Sequence, residues 1–466
     1  MDGNKYGKKA LTEGRLYPAE YSAPVTASDR YRGDDVEEDT MSAFDRIIGY
    51  ETIKQELLQL CDIIGNREIY EQMGAKLPQG ILLYGDPGLG KTLMAKCLIE
   101  ESGLEAFLIR RNKGDNDFIA GITDAFAKAK ENAPSIVFLD DLDKFANEDD
   151  DHRDAEEYVA VQACIDDVKN SGVFVLATAN DIRKMPRSLT RSGRFDRKIF
   201  IRQPTDTDAV SIITHYLKGK RVSDDVHMED LARMISYSSC ADLEMILNEA
   251  AISAAFARKK TIDMSDLVKA VLRMQYNAPD NFTKVTGEDM KRLALHEAGH
   301  LVASEVLCPG SVGFASLRTT GRDSTGGFVH LCKEMTNTQD LVLIALAGKA
   351  AVELYYSEKY ADGCKDDIRK AFCCIRSIIS EEGARGFGMI HMSDTPFPIT
   401  SENLNARKEA VVHAELERSY FITKDILLKN KAFLEKASSA LIEKETLLYS
   451  DIKAIRENVT VIGVSA

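Results

Sequence analysis

The stretch ILLYGDPGLGKT, Ile81–Thr92, decides how the rest of this chain is read. An apolar run ending at Tyr84 enters a glycine-rich turn that fits G-x-x-x-x-G-K-[ST] through Gly85, Gly90, Lys91 and Thr92. Glycines let the backbone curl until successive N–H groups face anionic oxygens. The next segment, Leu93–Glu101, has a helical pattern and adds the positive end of its dipole. Lys91 then reaches the β- and γ-phosphates, and the Thr92 hydroxyl is placed to ligate Mg²⁺. Asp86, Pro87, Gly88 and Leu89 complete the cradle, with Leu93 at its exit.

Working outward, short β-like runs alternate with helical stretches: Gly80–Tyr84, Ala106–Ile109, Ser135–Leu139, Val173–Ala177 and Lys198–Ile201. Alternation of this kind implies an α/β domain with a parallel sheet, ligands gathering at the carboxyl ends of its strands. The third run, SIVFLDDLDKF, ends in Asp140 and Asp141. Asp140 suits Mg²⁺, and Asp141 suits the attacking water of a hydrolysis. The fourth ends in Asn180, whose amide can bond that water or the γ-phosphate. Arg194 and Arg197 follow in RSGRFDR. They read as a basic surface turn or as arginines offered to a neighbouring subunit's nucleotide.

The segment Phe44–Met274 resembles an AAA+ ATPase module, with FDRIIGY, the phosphate loop, the Asp140 run, Asn180 and GRFDR in the family's order. The resemblance implies ATP held by Ile48, Gly49 and the loop, a ring of six, and a helical lid around CADLEMILNEAAISAAF, Cys240–Phe256. It also implies a pore loop, for which DFIAGITDAF is the candidate; Phe118 or Ile119 would grip substrate, and a core Phe118 is an equal reading.

After a linker at Tyr276–Asp280, the chain reads MKRLALHEAGHLVASEV. His296 and His300 are four apart in a helix-forming stretch, so both imidazoles face one way and can share a Zn²⁺. Glu297 between them is placed as general base. The acid pair Asp366–Asp367 opens another helical stretch, where capping and ligation are both open readings. HEAGH, LAGKAAVELYY, GCKDDIRKA and LIEKETL together resemble the protease domain of FtsH-type ATP-dependent zinc metalloproteases. That likeness implies Asp367 as third zinc ligand, with Asp366 the fallback, and a mostly helical domain.

Composition narrows the function classes. The 466 residues carry a net charge of −14, which argues against nucleic-acid partners. Nine scattered cysteines without a CxxC, and no secretory signal, point to reduced thiols in the cytoplasm. No membrane span is encoded; the run Leu341–Tyr356 is too short and carries Lys349 and Glu353. The family's membrane helices find no counterpart in the polar arm 1–40, which ends in an acidic cluster. Two further departures stand out. Asp141 replaces the usual glutamate, one methylene shorter, which is expected to slow hydrolysis. Cys240 stands where the lid motif begins with glycine. The expected organisation is an arm at 1–40, an ATPase α/β domain at 41–203, a lid at 204–276 and a zinc peptidase domain at 277–466. The expected activity is ATP-dependent cleavage of unfolded or tagged proteins by a homo-hexamer using Zn²⁺, ATP and Mg²⁺. The alternative is a remodelling ATPase whose protease-like domain is a ring-forming platform.

Overall fold

The computed structural model describes residues 42–111, 118–146, 155–191, 193–278, 287–319, 326–356, 363–382, 384–386 and 402–463. The acidic arm, and most of the charged run Glu148–Glu157, lie outside the described residues. The chain forms two compact units: His215 closes most of the first, which also takes Ser238–Leu243, and Tyr216–Tyr237 with the chain from Glu244 onward form the second.

In the first unit, α1 (Glu51–Gly65) and α2 (Arg67–Gln72) lead into β1 (Gly80–Tyr84). Then come α3 (Lys91–Ser102), β2 (Glu105–Ile109), α4 (Phe118–Glu131), β3 (Ser135–Leu139), α5 (Ala155–Asp167), β4 (Val173–Ala179) and β5 (Arg197–Phe200). The five strands form one parallel sheet in the order β2-β3-β4-β1-β5. Consecutive residues Ile81, Leu82 and Leu83 are all buried, so both faces of β1 are covered, as a parallel sheet demands. Tyr84 is level with Ala179, and Leu139 with Ala177. Hence the chain leaves β1, β3 and β4 at one sheet edge, delivering Gly85, Asp140 and Asn180 together.

Helices α6 (Asp206–Leu217), α7 (Met228–Met234), α8 (Cys240–Phe256) and α9 (Met264–Tyr276) follow. Asp263 and Asp266 form a reciprocal capping box that starts α9. The second unit continues with α10 (Glu288–Leu307), β6 (Val312–Thr319), β7 (Gly326–Leu331), α11 (Thr338–Tyr355), α12 (Lys365–Ser380), α13 (Glu402–Lys429), α14 (Lys431–Lys444), β8 (Thr446–Leu448) and α15 (Tyr449–Glu457). Its core packs Leu301, Val302, Phe433, Leu434 and Leu441 between α10 and α14. Alongside the expected helices stands a three-stranded antiparallel sheet, β7-β6-β8, that the helical reading missed.

Helix α7 is built into this second unit. The buried Asp230 carboxylate accepts from the Ser450 N–H at 2.8 Å and from the Ser450 hydroxyl at 2.6 Å, near the start of α15. The Arg233 guanidinium lies 3.6 Å over the Tyr449 ring and donates to the Gly310 carbonyl at 3.0 Å. Tyr276, read from sequence as the start of a linker, is instead the last residue of α9, its ring stacked on Phe328.

Candidate functional site

Two sites emerge, one in each unit. In the first, the loop after β1 turns back so tightly that a Cβ on Gly85 would lie 2.0 Å from the Ile201 carbonyl oxygen. Only glycine fits there. Lys91 is buried and donates to the carbonyls of Gly85 and Asp86, each at 2.7 Å. Burial pushes its ammonium below the usual lysine value, opposed by Asp141, Asp143, Asp86 and Asp140. The Thr92 hydroxyl donates to Asp140 at 2.9 Å, and Thr178 donates to the same oxygen at 2.8 Å. Thr92 and Asp140 are thereby preset as partners for one cation.

Asp141 has left-handed backbone geometry, φ 56°, which Asp tolerates better than most side chains. Its N–H donates to Thr178 at 2.9 Å, and its carboxylate meets Lys144 at 2.6 Å and the Asn180 amide at 3.4 Å. Arg110, at the end of β2, stands 3.8 Å from Asp140 and 3.7 Å from Asp141. Sequence reasoning missed Arg110 and Thr178; each lies just beyond or within a β-run and fits no motif. Ahead of α1, Ile48 is half-buried and Gly49 leads to Tyr50, whose N–H donates to Asp208 at 2.8 Å. Cys240 touches the Tyr50 hydroxyl at 3.6 Å.

Arg194 and Arg197 read from sequence as a basic surface turn or as arginines for a neighbouring subunit's nucleotide. Within this chain Arg194 is buried, with two nitrogens on Asp166 of its own unit at 3.2 and 2.6 Å and a third on the Ser188 carbonyl. Those bonds hold the Asp166 carboxyl well below the usual carboxylate range. Arg197 is more open and meets Glu56 at 3.3 Å. Phe118 opens α4 with its ring edge-on to Phe145, 5.1 Å between centroids, while Ile119 is exposed.

In the second unit, α10 carries His296 and His300 one turn apart. Their Nε2 atoms are 3.1 Å apart, and Asp367 Oδ2, from the first turn of α12, lies 3.2 and 3.4 Å from them. Donors ~2.0–2.1 Å from a tetrahedral metal stand about 3.3 Å from one another, so this trio fits zinc. The set is also pre-oriented. His300 Nδ1 donates to the Ile344 carbonyl at 2.8 Å, which leaves its Nε2 lone pair for the metal. Although burial works against its charge, the two imidazoles hold Asp367 well below the usual range. Asp366 turns away to Arg369 at 2.7 Å, so Asp367 is the acid the fold delivers.

Two glycines make room for this centre, and neither was singled out from sequence. A Cβ on Gly348 of α11 would sit 2.5 Å from His300 Nε2 and 2.6 Å from His296 Nδ1. A Cβ on Gly327 of β7 would sit 2.6 Å from Glu297 Oε1. Glu297 is buried, and desolvation pushes its carboxyl up to about 8. The centre lines a cleft of about 980 Å³, walled by β7, Leu341 and Ile344. No helix among the described residues is long and apolar enough to cross a membrane.

Comparison with known proteins matches these two sites. Residues 81–203 match the ATPase family associated with various cellular activities (AAA), and residues 283–455 match peptidase family M41. ATP-dependent zinc metalloprotease FtsH 3 of Symbiobacterium thermophilum is 30% identical over 453 residues, covering 89% of this chain and 71% of that protein. FtsH of Leptotrichia buccalis is 32% identical over 442 residues, covering 88% of this chain and 56% of the relative. For FtsH of Mycoplasma mobile the values are 29% over 449 residues, 90% and 63%. The chain therefore spans between 56% and 71% of the length of these relatives. With a phosphate loop, a zinc-fitting donor trio and this likeness along nearly its whole length, the chain belongs to the FtsH-type family of ATP-dependent zinc metalloproteases.

Proposed function

We propose that this chain works as a homo-hexameric, ATP-driven endopeptidase that draws in unfolded or tagged protein and cuts it. The observation that carries the reading is the convergence of His296, His300 and Asp367 donors within 3.4 Å, with the buried Glu297 beside them. Zinc held by those three would supply Lewis-acid polarisation of the scissile carbonyl and of the attacking water. Glu297 takes the proton from that water and returns it to the leaving amine. Among the described residues β7 is an edge strand of its sheet, and it borders the cleft, a placement that suits an extended peptide.

In the ATPase unit, Lys91 neutralises phosphate charge, while Thr92 and Asp140 hold Mg²⁺. Asp141 and Asn180 orient the attacking water. Arg197 serves the neighbouring subunit's nucleotide, and Arg194, closed on Asp166, braces the turn that presents it. Ile119, exposed at the start of α4, is the side chain offered to substrate. The test is degradation of an unfolded protein with and without ATP, using Glu297→Gln and Lys91→Ala. Glu297→Gln should hydrolyse ATP and leave the protein uncut, and Lys91→Ala should neither hydrolyse ATP nor cut the protein. Cutting at the parental rate by Glu297→Gln would refute the assignment.

A further inference from the structure

Gly326, Gly327, Phe328, Val329 and Leu331 of β7 line the cleft, and the rings of Phe328 and His330, two residues apart and so on one face, also reach Tyr276 at the end of α9 and, for His330, Ser236 just past α7. Phe328 stacks on Tyr276, centroids 4.7 Å apart and planes at 23°. His330 lies 2.8 Å from the Tyr276 hydroxyl through Nδ1 and 2.8 Å from the Ser236 hydroxyl through Nε2. Ser236 donates its own proton to the Arg233 carbonyl at 3.1 Å. Ser236 therefore accepts from the His330 Nε2–H, and Tyr276 donates to Nδ1. This directed chain of three hydrogen bonds ties α7, β7 and α9 together.

The ladder to β6 does not fix the Gly327 end by itself. Register slips between Ser316 and Thr319, the stretch of β6 that faces Gly327. A slipped ladder leaves local backbone position to side-chain contacts. Next in the chain comes Phe328, held on Tyr276, and two further on His330, held at both ring nitrogens. The Gly327 backbone in turn closes one side of Glu297.

We propose that Tyr276 and His330 are positioning residues of the peptidase: by clamping β7 they keep the Gly327 backbone against Glu297 and so hold the general base in place. The inference rests on the peptidase reading above. The hydrogen-bond partners of His330 are Tyr276 and Ser236, neither of them a metal ligand, so Tyr276 and His330 act through β7.

The experiment uses the full chain, loaded with zinc, and an unstructured fluorogenic peptide, with kcat, KM and bound zinc measured for each protein. The parent and Glu297→Gln establish whether the peptidase reading stands; if the parent does not cleave, or Glu297→Gln cleaves equally, that reading fails and the inference falls with it. Given an active parent, His330→Ala should lower kcat about tenfold with one zinc per chain and KM within about twofold, since misplacement near an ångström costs up to ~100-fold. His330→Gln keeps an acceptor for Tyr276 and a donor for Ser236, and should recover to within about threefold of the parent. Tyr276→Phe keeps the stack and removes one donor, and should fall between the two. Parental kcat in zinc-replete His330→Ala would overturn the proposal. So would a loss that tracks zinc release or unfolding and that His330→Gln does not rescue.

Discussion

Gly348→Ala isolates the geometry of the metal centre with one methyl group. The new Cβ would stand 2.5 Å from His300 Nε2, where ordinary contact begins at 3.4 Å, a shortfall of about 0.9 Å. Neither ring yields easily. His300 is anchored through Nδ1 to the Ile344 carbonyl, and both imidazoles sit on the same buried helix. The strain must displace α11 or rotate a ligand by several times the ~0.2 Å tolerance of a metal–ligand distance. Disturbing the partners that orient zinc ligands typically costs about 10–100-fold in affinity, and the direct clash here belongs at the upper end of that range. The assay is zinc retention during dialysis against graded chelator, with metal content measured per chain. ATP hydrolysis serves as the control for an intact first unit. Gly348→Ala holding zinc as tightly as the parent, with parental peptide cleavage, would refute the fit of these residues to the metal.

Other outcomes follow from the same geometry. Glu297→Gln should keep zinc and ATP hydrolysis while peptide cleavage falls at least ~100-fold, measured by release of new amino termini. Asp141→Asn should bind ATP as the parent does and release phosphate about 100-fold more slowly; equal rates would remove Asp141 from the chemistry. His330 gives a pH signature. Desolvation lowers its imidazole from 6.5 to about 4, so the unfolded chain takes up a proton that the folded unit refuses. Stability is then complete above about pH 6.5 and declines toward pH 4, by up to about 1.4 kcal/mol per pH unit. Urea denaturation at pH 7 and 4.5 should show a smaller difference for His330→Gln than for the parent; equal differences would contradict the assignment.

Much of both sites was legible because phosphate and metal chemistry demand local patterns. The phosphate loop needs contiguous backbone, and a helix pitch alone brings His296 beside His300. Residue spacing alone narrowed the third ligand only to the pair Asp366–Asp367, and the family likeness chose Asp367, because which carboxylate turns inward depends on how α12 meets α10. Gly348 and Gly327 were invisible for another reason. What matters there is the space a side chain would occupy against a segment far away in sequence, and a glycine inside LAGKAA looks no different from a helix-packing glycine. The partner of Arg194 was not legible either, since a basic turn in sequence does not show that Asp166 stands against it. The β6–β7–β8 sheet was missed because β6 is buried residue after residue and shows no alternation, while the three-residue β8 joins it only after α11, α12, α13 and α14.

The seam drawn from sequence near residue 277 is a poor place to cut the gene. A fragment starting there would lack Asp230, leaving the start of α15 without the carboxylate that its Ser450 backbone and hydroxyl share. It would also strip the guanidinium lid from Tyr449 and the ring that stacks on Phe328. A peptidase fragment meant for crystallisation or screening should therefore begin upstream of α7, at Tyr216, where the second unit does.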